Sequence, residues 1–148
     1  MAEVINVVKR GERGKEPLNI EKIHEMVEYA CEDIAGVSAS QVEMKSGLQF
    51  YDGISTDDIQ QILIKSAADL IDLEQPNYQY VAARLLLYSL RKAVIGRLWD
   101  HPHLYDHVKK AVDKNLYDSE LIEKYQKKDF DRMENWLNHE RDYTFTYA

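Results

Sequence analysis

Val4-Ile5-Asn6-Val7-Val8-Lys9-Arg10-Gly11-Glu12-Arg13-Gly14-Lys15-Glu16-Pro17-Leu18-Asn19-Ile20-Glu21-Lys22-Ile23 is the stretch on which the fold turns. Residues 4 to 8 are rich in β-branched side chains and alternate weakly, which predicts a strand. Gly11 and Gly14 bracket a hairpin loop. Pro17 suits an edge position or the end of a short second strand. Asn19 is a good N-cap for a helix that begins at Ile20. The same stretch carries Lys9, Arg10, Lys15 and Lys22 in an acidic chain, with 19 Lys and Arg against 26 Asp and Glu and a formal net charge of −7. A local basic cluster on a net-negative chain points to one specific anion rather than to polyanions in general.

Beyond the hairpin the pattern is helical. Ile20, Ile23, Val27, Ala30 and Ile34 recur at helical spacing, and Gly36 is a natural stop. Ser38-Ala39-Ser40-Gln41 spells a capping box, with Val37 and Val42 as its hydrophobic staple, for a second helix running to about Gly47. Leu48 to Ile54 is short, aromatic and turn-bounded, a candidate third strand for the hairpin. Ser55-Thr56-Asp57-Asp58 opens a third helix with acidic residues in its first turn. Its apolar face is Ile59, Ile62, Leu63, Ala67, Leu70 and Ile71. Pro76 stands where a first helical residue would be. From Tyr80 to Leu90 the chain is apolar on nearly every side, as in the central helix of a bundle. That helix reaches Arg91-Lys92 and continues toward Leu98. Asp100-His101-Pro102 breaks the pattern and sets a domain boundary, so residues 1–98 form one unit. In 99–148, short charged helices are expected near 104–112, 118–125 and 128–137. The aromatic end, Thr144 to Ala148, hints at a continuing chain or a partner.

The 148 residues suffice for one domain with a small appendage, and the 45% apolar content supplies a real core. The acidic balance argues against a general DNA or RNA binder. The single cysteine, Cys31, cannot form an internal disulfide or a zinc ribbon. No signal peptide is legible, and no apolar run approaches the roughly 20 residues of a membrane span. A soluble intracellular protein is the expectation.

Three constellations could carry chemistry. Lys9 ends a strand, Lys22 lies in the first turn of the next helix, and Lys92 lies near the end of the central helix. If the hairpin caps a four-helix bundle, the three ammonium groups converge as phosphate ligands. Spacing alone favours three solvated lysines. His101, His103 and His107 could ligate a metal, but a polar loop leading into a helix is the better account, since no cysteine joins them. Cys31 reads as a buried, inert thiol. Asp57 and Asp58 read as helix-dipole partners rather than metal ligands. No P-loop or dinucleotide-binding glycine pattern is present.

Val8-Lys9-Arg10, Asn19-Ile20-Glu21-Lys22-Ile23, Asp52-Gly53-Ile54-Ser55-Thr56-Asp57-Asp58-Ile59, Pro76-Asn77-Tyr78-Gln79-Tyr80-Val81-Ala82-Ala83-Arg84 and Leu90-Arg91-Lys92 together resemble the ATP-cone. This is the allosteric nucleotide-binding module at the N-terminus of class I ribonucleotide reductase large subunits. Leu104 to Val108 and His139 to Ala148 resemble the segment that follows the cone in the bacterial and phage class Ia subunit. The resemblance implies a mainly α fold with a small β cap, a three-stranded sheet over a four-helix bundle followed by short helices. It implies that Lys9, Lys22 and Lys92 hold phosphates, that Glu16 and Asn19 lie on the adenine side, and that Thr56 touches sugar or phosphate. Arg10, Gln60, Tyr88 and Ser89 are further candidates, and Tyr29 and Tyr88 stand where some relatives accommodate a second nucleotide. The implied effectors are ATP, which activates, and dATP, with Mg2+. The implied partners are the rest of the large subunit and the small radical-generating β subunit, in an oligomeric cytoplasmic oxidoreductase (host cytoplasm for a phage protein) that makes deoxyribonucleotides for DNA replication.

Two positions depart from the bacterial pattern. Gln60 and Ser89 stand where those enzymes often carry histidines that help distinguish ATP from dATP, so inhibition by dATP is doubtful. The family continues into a ten-stranded α/β barrel with catalytic cysteines. These 148 residues contain none of that, and are expected to be inactive alone, whether as a fragment or a split-gene product. Two alternatives stay open. One is a helical assembly module that no longer binds nucleotide. The other is an ATP-cone transcriptional repressor, disfavoured because it needs four zinc-ribbon cysteines.

Overall fold

The computed structural model describes residues 4–11 and 14–147. Glu12 and Arg13, read as part of the hairpin loop, therefore lie outside the described residues. The flanking glycines take left-handed backbone angles, φ 77° at Gly11 and 78° at Gly14, as a tight reversal requires. Strand β1 (Asn6–Val8) pairs antiparallel with β2 (Lys15–Pro17), matching Val7 to Glu16. Strand β3 is only Ile54–Ser55 and joins the other side of β1 in parallel. The sheet order is thus β2-β1-β3. The segment expected to be strand from Leu48 is mostly loop. Asp52 holds it in place, accepting from the Asn6 backbone at 2.8 Å and from its side chain at 2.9 Å. These donors keep the Asp52 carboxyl below its usual pKa, the backbone bond first.

Four helices form the bundle beneath this cap: α1 (Ile20–Cys31), α2 (Ala39–Gly47), α3 (Thr56–Ala68) and α4 (Tyr78–Ile95). The core joins Val7 and Ile54 of the sheet to Val27 and Ala30 of α1, Val42 of α2, Leu63 and Ala67 of α3, and Val81 and Leu85 of α4. The predicted cap at Asn19 forms, and Ser55 caps α3 as well. Asn19 accepts from the Lys22 backbone N–H at 3.1 Å, and Ser55 accepts from that of Asp58 at 2.9 Å.

Several local expectations need correction. Helix α1 stops at Cys31, before Ile34 and Gly36. Arg84 donates to the carbonyls of Glu32 at 2.7 Å and Ala30 at 3.4 Å, so α4 satisfies helix-end acceptors that a further turn would have used. Ser38 caps α2 without a side-chain bond. The buried Tyr78 hydroxyl takes over: it accepts from the Ser38 backbone N–H at 3.0 Å and donates to Gln41 at 2.8 Å. Pro76 precedes α4 rather than opening it, because Pro76 and Asn77 form a turn whose carbonyls accept from Gln79 and Tyr80. Gly96, with φ 76°, ends α4 before Leu98. Nor is α4 buried all round. Leu86, Leu90 and Val94 are 46%, 58% and 60% exposed on the side that faces away from α1 and α3.

After α4 come α5 (Leu104–Asp113), α6 (Glu120–Lys124) and α7 (Lys127–Glu134), with α5 packed on α7. A 3-10 helix, His139–Thr144, was not legible from periodicity and packs back on α4. Arg91, buried in α4, pairs with Asp142 at 3.1 Å, and the Arg84 guanidinium lies 5.0 Å from the Tyr143 ring centroid. Among the described residues, no helix is long and apolar enough to cross a membrane.

Candidate functional site

Lys9, Glu16, Asn19, Lys22, Thr56 and Lys92 line a single cleft of about 250 Å3 between the sheet and one end of the bundle. They arrive from both strands of the hairpin and from the ends of three helices. Lys9 follows β1, Glu16 is central in β2, and Asn19 caps α1. Lys22 lies in the first turn of α1, Thr56 opens α3, and Lys92 is in the last turn of α4. The short hairpin brings both of its ends over the bundle, and the parallel addition of β3 delivers the start of α3 beside them. Val7, Leu18, Ile23, Met26 and Ile59 supply apolar walls. One end is therefore cationic and the rest amphipathic.

The further candidates divide. Gln60 lines the main cleft and also an adjoining recess, which contains Arg10, Ser89, Lys9, Thr56 and Lys92. Tyr29 reaches the main cleft. Tyr88 does not; it lines a separate recess behind Trp99. Trp99 and Leu98 are cleft residues that sequence reasoning missed. They follow the end of α4, where no periodicity marks a side chain as inward-facing.

Charge is partly balanced inside the site. Lys9 pairs with Glu16 at 2.5 Å across the hairpin. That hydrogen bond, followed by the charges of Lys9 and Lys22 acting against some burial, holds the Glu16 carboxyl below its usual pKa. Arg10 grips Asp57, with Nε 2.9 Å from Oδ1 and 3.2 Å from Oδ2, and this bond raises the guanidinium pKa further. Among the described residues, Lys22 and Lys92 take part in no ion pair. Lys92 is exposed by surface area, yet the protein around its head group lowers its pKa. Burial is the first cause, and repulsion from Lys9 and Arg10 follows. An anion among these cations would relieve that repulsion. Asp58 is engaged with Ser55 at 2.7 Å, so the acidic pair at the start of α3 serves an ion pair and a cap.

The other constellations stay apart from the cleft. His103 lies beside Glu134 at 3.3 Å, His107 is edge-on to Tyr117, and His101 stacks on His139 with centroids 3.7 Å apart. The three closely spaced histidines therefore do not converge. His101, His139 and Asp142 do place potential ligand atoms within 4.8 Å of one another, but Asp142 is already paired with Arg91. Cys31 is half-buried, and burial pushes its thiol up to about 11, as befits an inert side chain.

Residues 5–93 match the ATP cone domain family. Over 142 residues, 96% of the chain, it is 46% identical to ribonucleoside-diphosphate reductase 1 subunit alpha of Escherichia coli, of which it covers 18%. It is also 46% identical over its whole length to the ribonucleoside-diphosphate reductase subunit alpha of Haemophilus influenzae, covering 19% of that protein. The subunit alpha of Enterobacteria phage T4 is 38% identical over 99% of the chain, with 19% of the phage protein covered. The chain thus spans about a fifth of the length of these relatives. With the match extending over the hairpin, nearly all of the four-helix bundle and Lys9, Lys22, Thr56 and Lys92 of the cleft, the chain belongs to the ATP-cone family.

Proposed function

We propose that the cleft is the effector site of a ribonucleoside-diphosphate reductase large subunit, where ATP or dATP sets the activity of a catalytic barrel elsewhere in that subunit. The observation that carries this reading is the convergence of Lys9, Lys22 and Lys92, from three separate elements, on one cleft with Thr56. Three ammonium groups and a hydroxyl suit a triphosphate. Glu16 and Asn19, at the hairpin side of the same cleft, suit the amino group and ring nitrogens of adenine. Arg10 and Ser89, in the adjoining recess, extend the phosphate end. Among the described residues, Asp57 is the only carboxylate lining that recess and Arg10 already holds it, so Mg2+ travels mainly on the phosphate oxygens. Residues 1–98 act as the cone and 99–148 as the helical connection to the barrel. The partners are the rest of the large subunit and the β subunit, in the cytoplasm.

The competing reading is an assembly module that binds no nucleotide. It draws on the internal neutralisation of Lys9 by Glu16 and Arg10 by Asp57, and on the exposed Leu86, Leu90 and Val94 face. Thermal unfolding separates the two. Specific binding raises the melting temperature by mass action, while no shift at millimolar ATP selects the assembly module.

A further inference from the structure

Trp99 lies outside the matched 5–93 region yet forms a wall of the cleft. Its indole stands edge-on to two aromatic rings, with centroids 5.2 Å from Tyr29 and 5.2 Å from Tyr88. Behind it lies a second recess of about 160 Å3, walled by Tyr29, Arg84, Tyr88, Trp99 and Tyr143. Trp99 therefore partitions the nucleotide cleft from this recess. The far wall, Tyr143, belongs to the terminal 3-10 helix and rests against Arg84 at 5.0 Å and Arg91 at 5.8 Å. The rings of Tyr29, Trp99 and Tyr88 thus link the cleft to a recess, lined also by Glu32, Asp33 and Arg84, whose far wall is the segment that folds back on α4.

Taking nucleotide binding as proposed above, we propose that Trp99 is a ligand-sensing wall: adenine nucleotide contacts the indole, and Tyr88, Arg84 and Tyr143 pass that contact to residues 139–147. The chemistry suits the position. An indole offers a large face or edge to a purine and, at 39% exposure, retains room to re-orient. The Arg84–Tyr143 contact and the Arg91–Asp142 pair make the 3-10 helix responsive, since each depends on how α4 presents its guanidinium groups. Trp99 positions the ligand and relays its presence.

The chain has two tryptophans, and Trp136 is 74% exposed. Trp136→Phe in the full 148-residue chain therefore leaves Trp99 as the sole indole reporter. Titration with ATP should change its emission along the same saturation curve as calorimetry. Trp99→Ala should weaken ATP about tenfold, as expected for loss of one base–aromatic contact, and Trp99→Phe should fall between. Amide exchange of 139–147 should slow on ATP addition in the parent chain and stay unchanged in Trp99→Ala. An unaltered unliganded melting temperature for Trp99→Phe shows that folding is intact. Calorimetric ATP binding with constant emission and affinities within about twofold in both variants overturns the contact. A contact without any exchange response in 139–147 overturns the relay. No calorimetric binding to the parent chain overturns nucleotide binding itself, and the sensing role with it.

Discussion

The Lys9 ammonium sits 2.5 Å from the Glu16 carboxylate, and both groups line the cleft in which a nucleotide is proposed to bind. Without ligand, Glu16 offsets the repulsion among Lys9, Lys22 and Lys92. An arriving phosphate competes for the same ammonium. Lys9→Ala should therefore weaken ATP about tenfold or more, since a charge-assisted hydrogen bond contributes about 1.5–3 kcal/mol. Lys9→Ala with Lys92→Ala should abolish the ATP-induced thermal shift. Unliganded stability should change little, because Lys9 is only partly buried and Lys92 is exposed. A double variant that keeps the full shift would remove these lysines from the site.

Gln60 offers a second measurement. It is 5% exposed and donates its Nε2 to the Leu85 carbonyl at 2.9 Å, which ties α3 to α4 under the cleft. The amide is thereby fixed in orientation. Ser89, one turn beyond Leu85, lies in the adjoining recess. These two neutral side chains cannot change charge to suit one sugar over another. One hydrogen bond gained or lost at the 2′-hydroxyl contributes a net of only about 0.5–1.5 kcal/mol. The cone should therefore hold ATP and dATP with affinities within about tenfold of each other. Titration calorimetry with both nucleotides decides it; a larger preference for dATP, joined to a change of assembly state, would show that discrimination survives without histidines here.

Tyr78 is fully buried, and its hydroxyl joins the Ser38 backbone to Gln41. Tyr78→Phe keeps the ring but leaves an N–H and an amide oxygen short of a partner at the start of α2. The expected loss is about 1–2 kcal/mol in urea unfolding, with faster amide exchange confined mainly to the first turn of α2. Ser38→Ala should cost much less, because the Ser38 side chain makes no capping bond.

That contrast shows where local reading succeeds. Asn19 was legible as a cap because a cap needs only a side chain and an N–H a few residues on. The capping box at Ser38 failed because Tyr78, far along the chain, outcompetes it. Likewise α1 ends early because Arg84 reaches its carbonyls from α4. The cleft obeys the same rule. Nothing near Lys9 in sequence announces Lys92, and spacing alone favoured solvated lysines; the family resemblance, not periodicity, joined them. Trp99 escaped both routes. It follows the αL stop at Gly96, where helical spacing no longer says which way a side chain faces.

His24 gives the bundle a pH response. Its Nδ1 is 2.7 Å from Glu43 of α2, and its Nε2 is 3.2 Å from Glu28 one turn along α1. The hydrogen bond to Glu43 is the main cause of a raised pKa, with the charges of Glu43, Glu28 and Glu25 also favouring the imidazolium and slight desolvation opposing it. Because the folded pKa lies above the unfolded one, this clasp between α1 and α2 contributes fully below the ordinary histidine value of about 6.5. It is lost as pH rises through the raised folded value. Urea midpoints measured from about pH 6 to about pH 9 should therefore fall further in the parent protein than in His24→Gln, which keeps a hydrogen-bonding side chain but cannot charge. The ring is well exposed, so the effect should also shrink at high salt. Equal midpoint changes in the two proteins at low salt would mean that His24 carries no such linkage and that Glu43 holds α2 to α1 by packing alone.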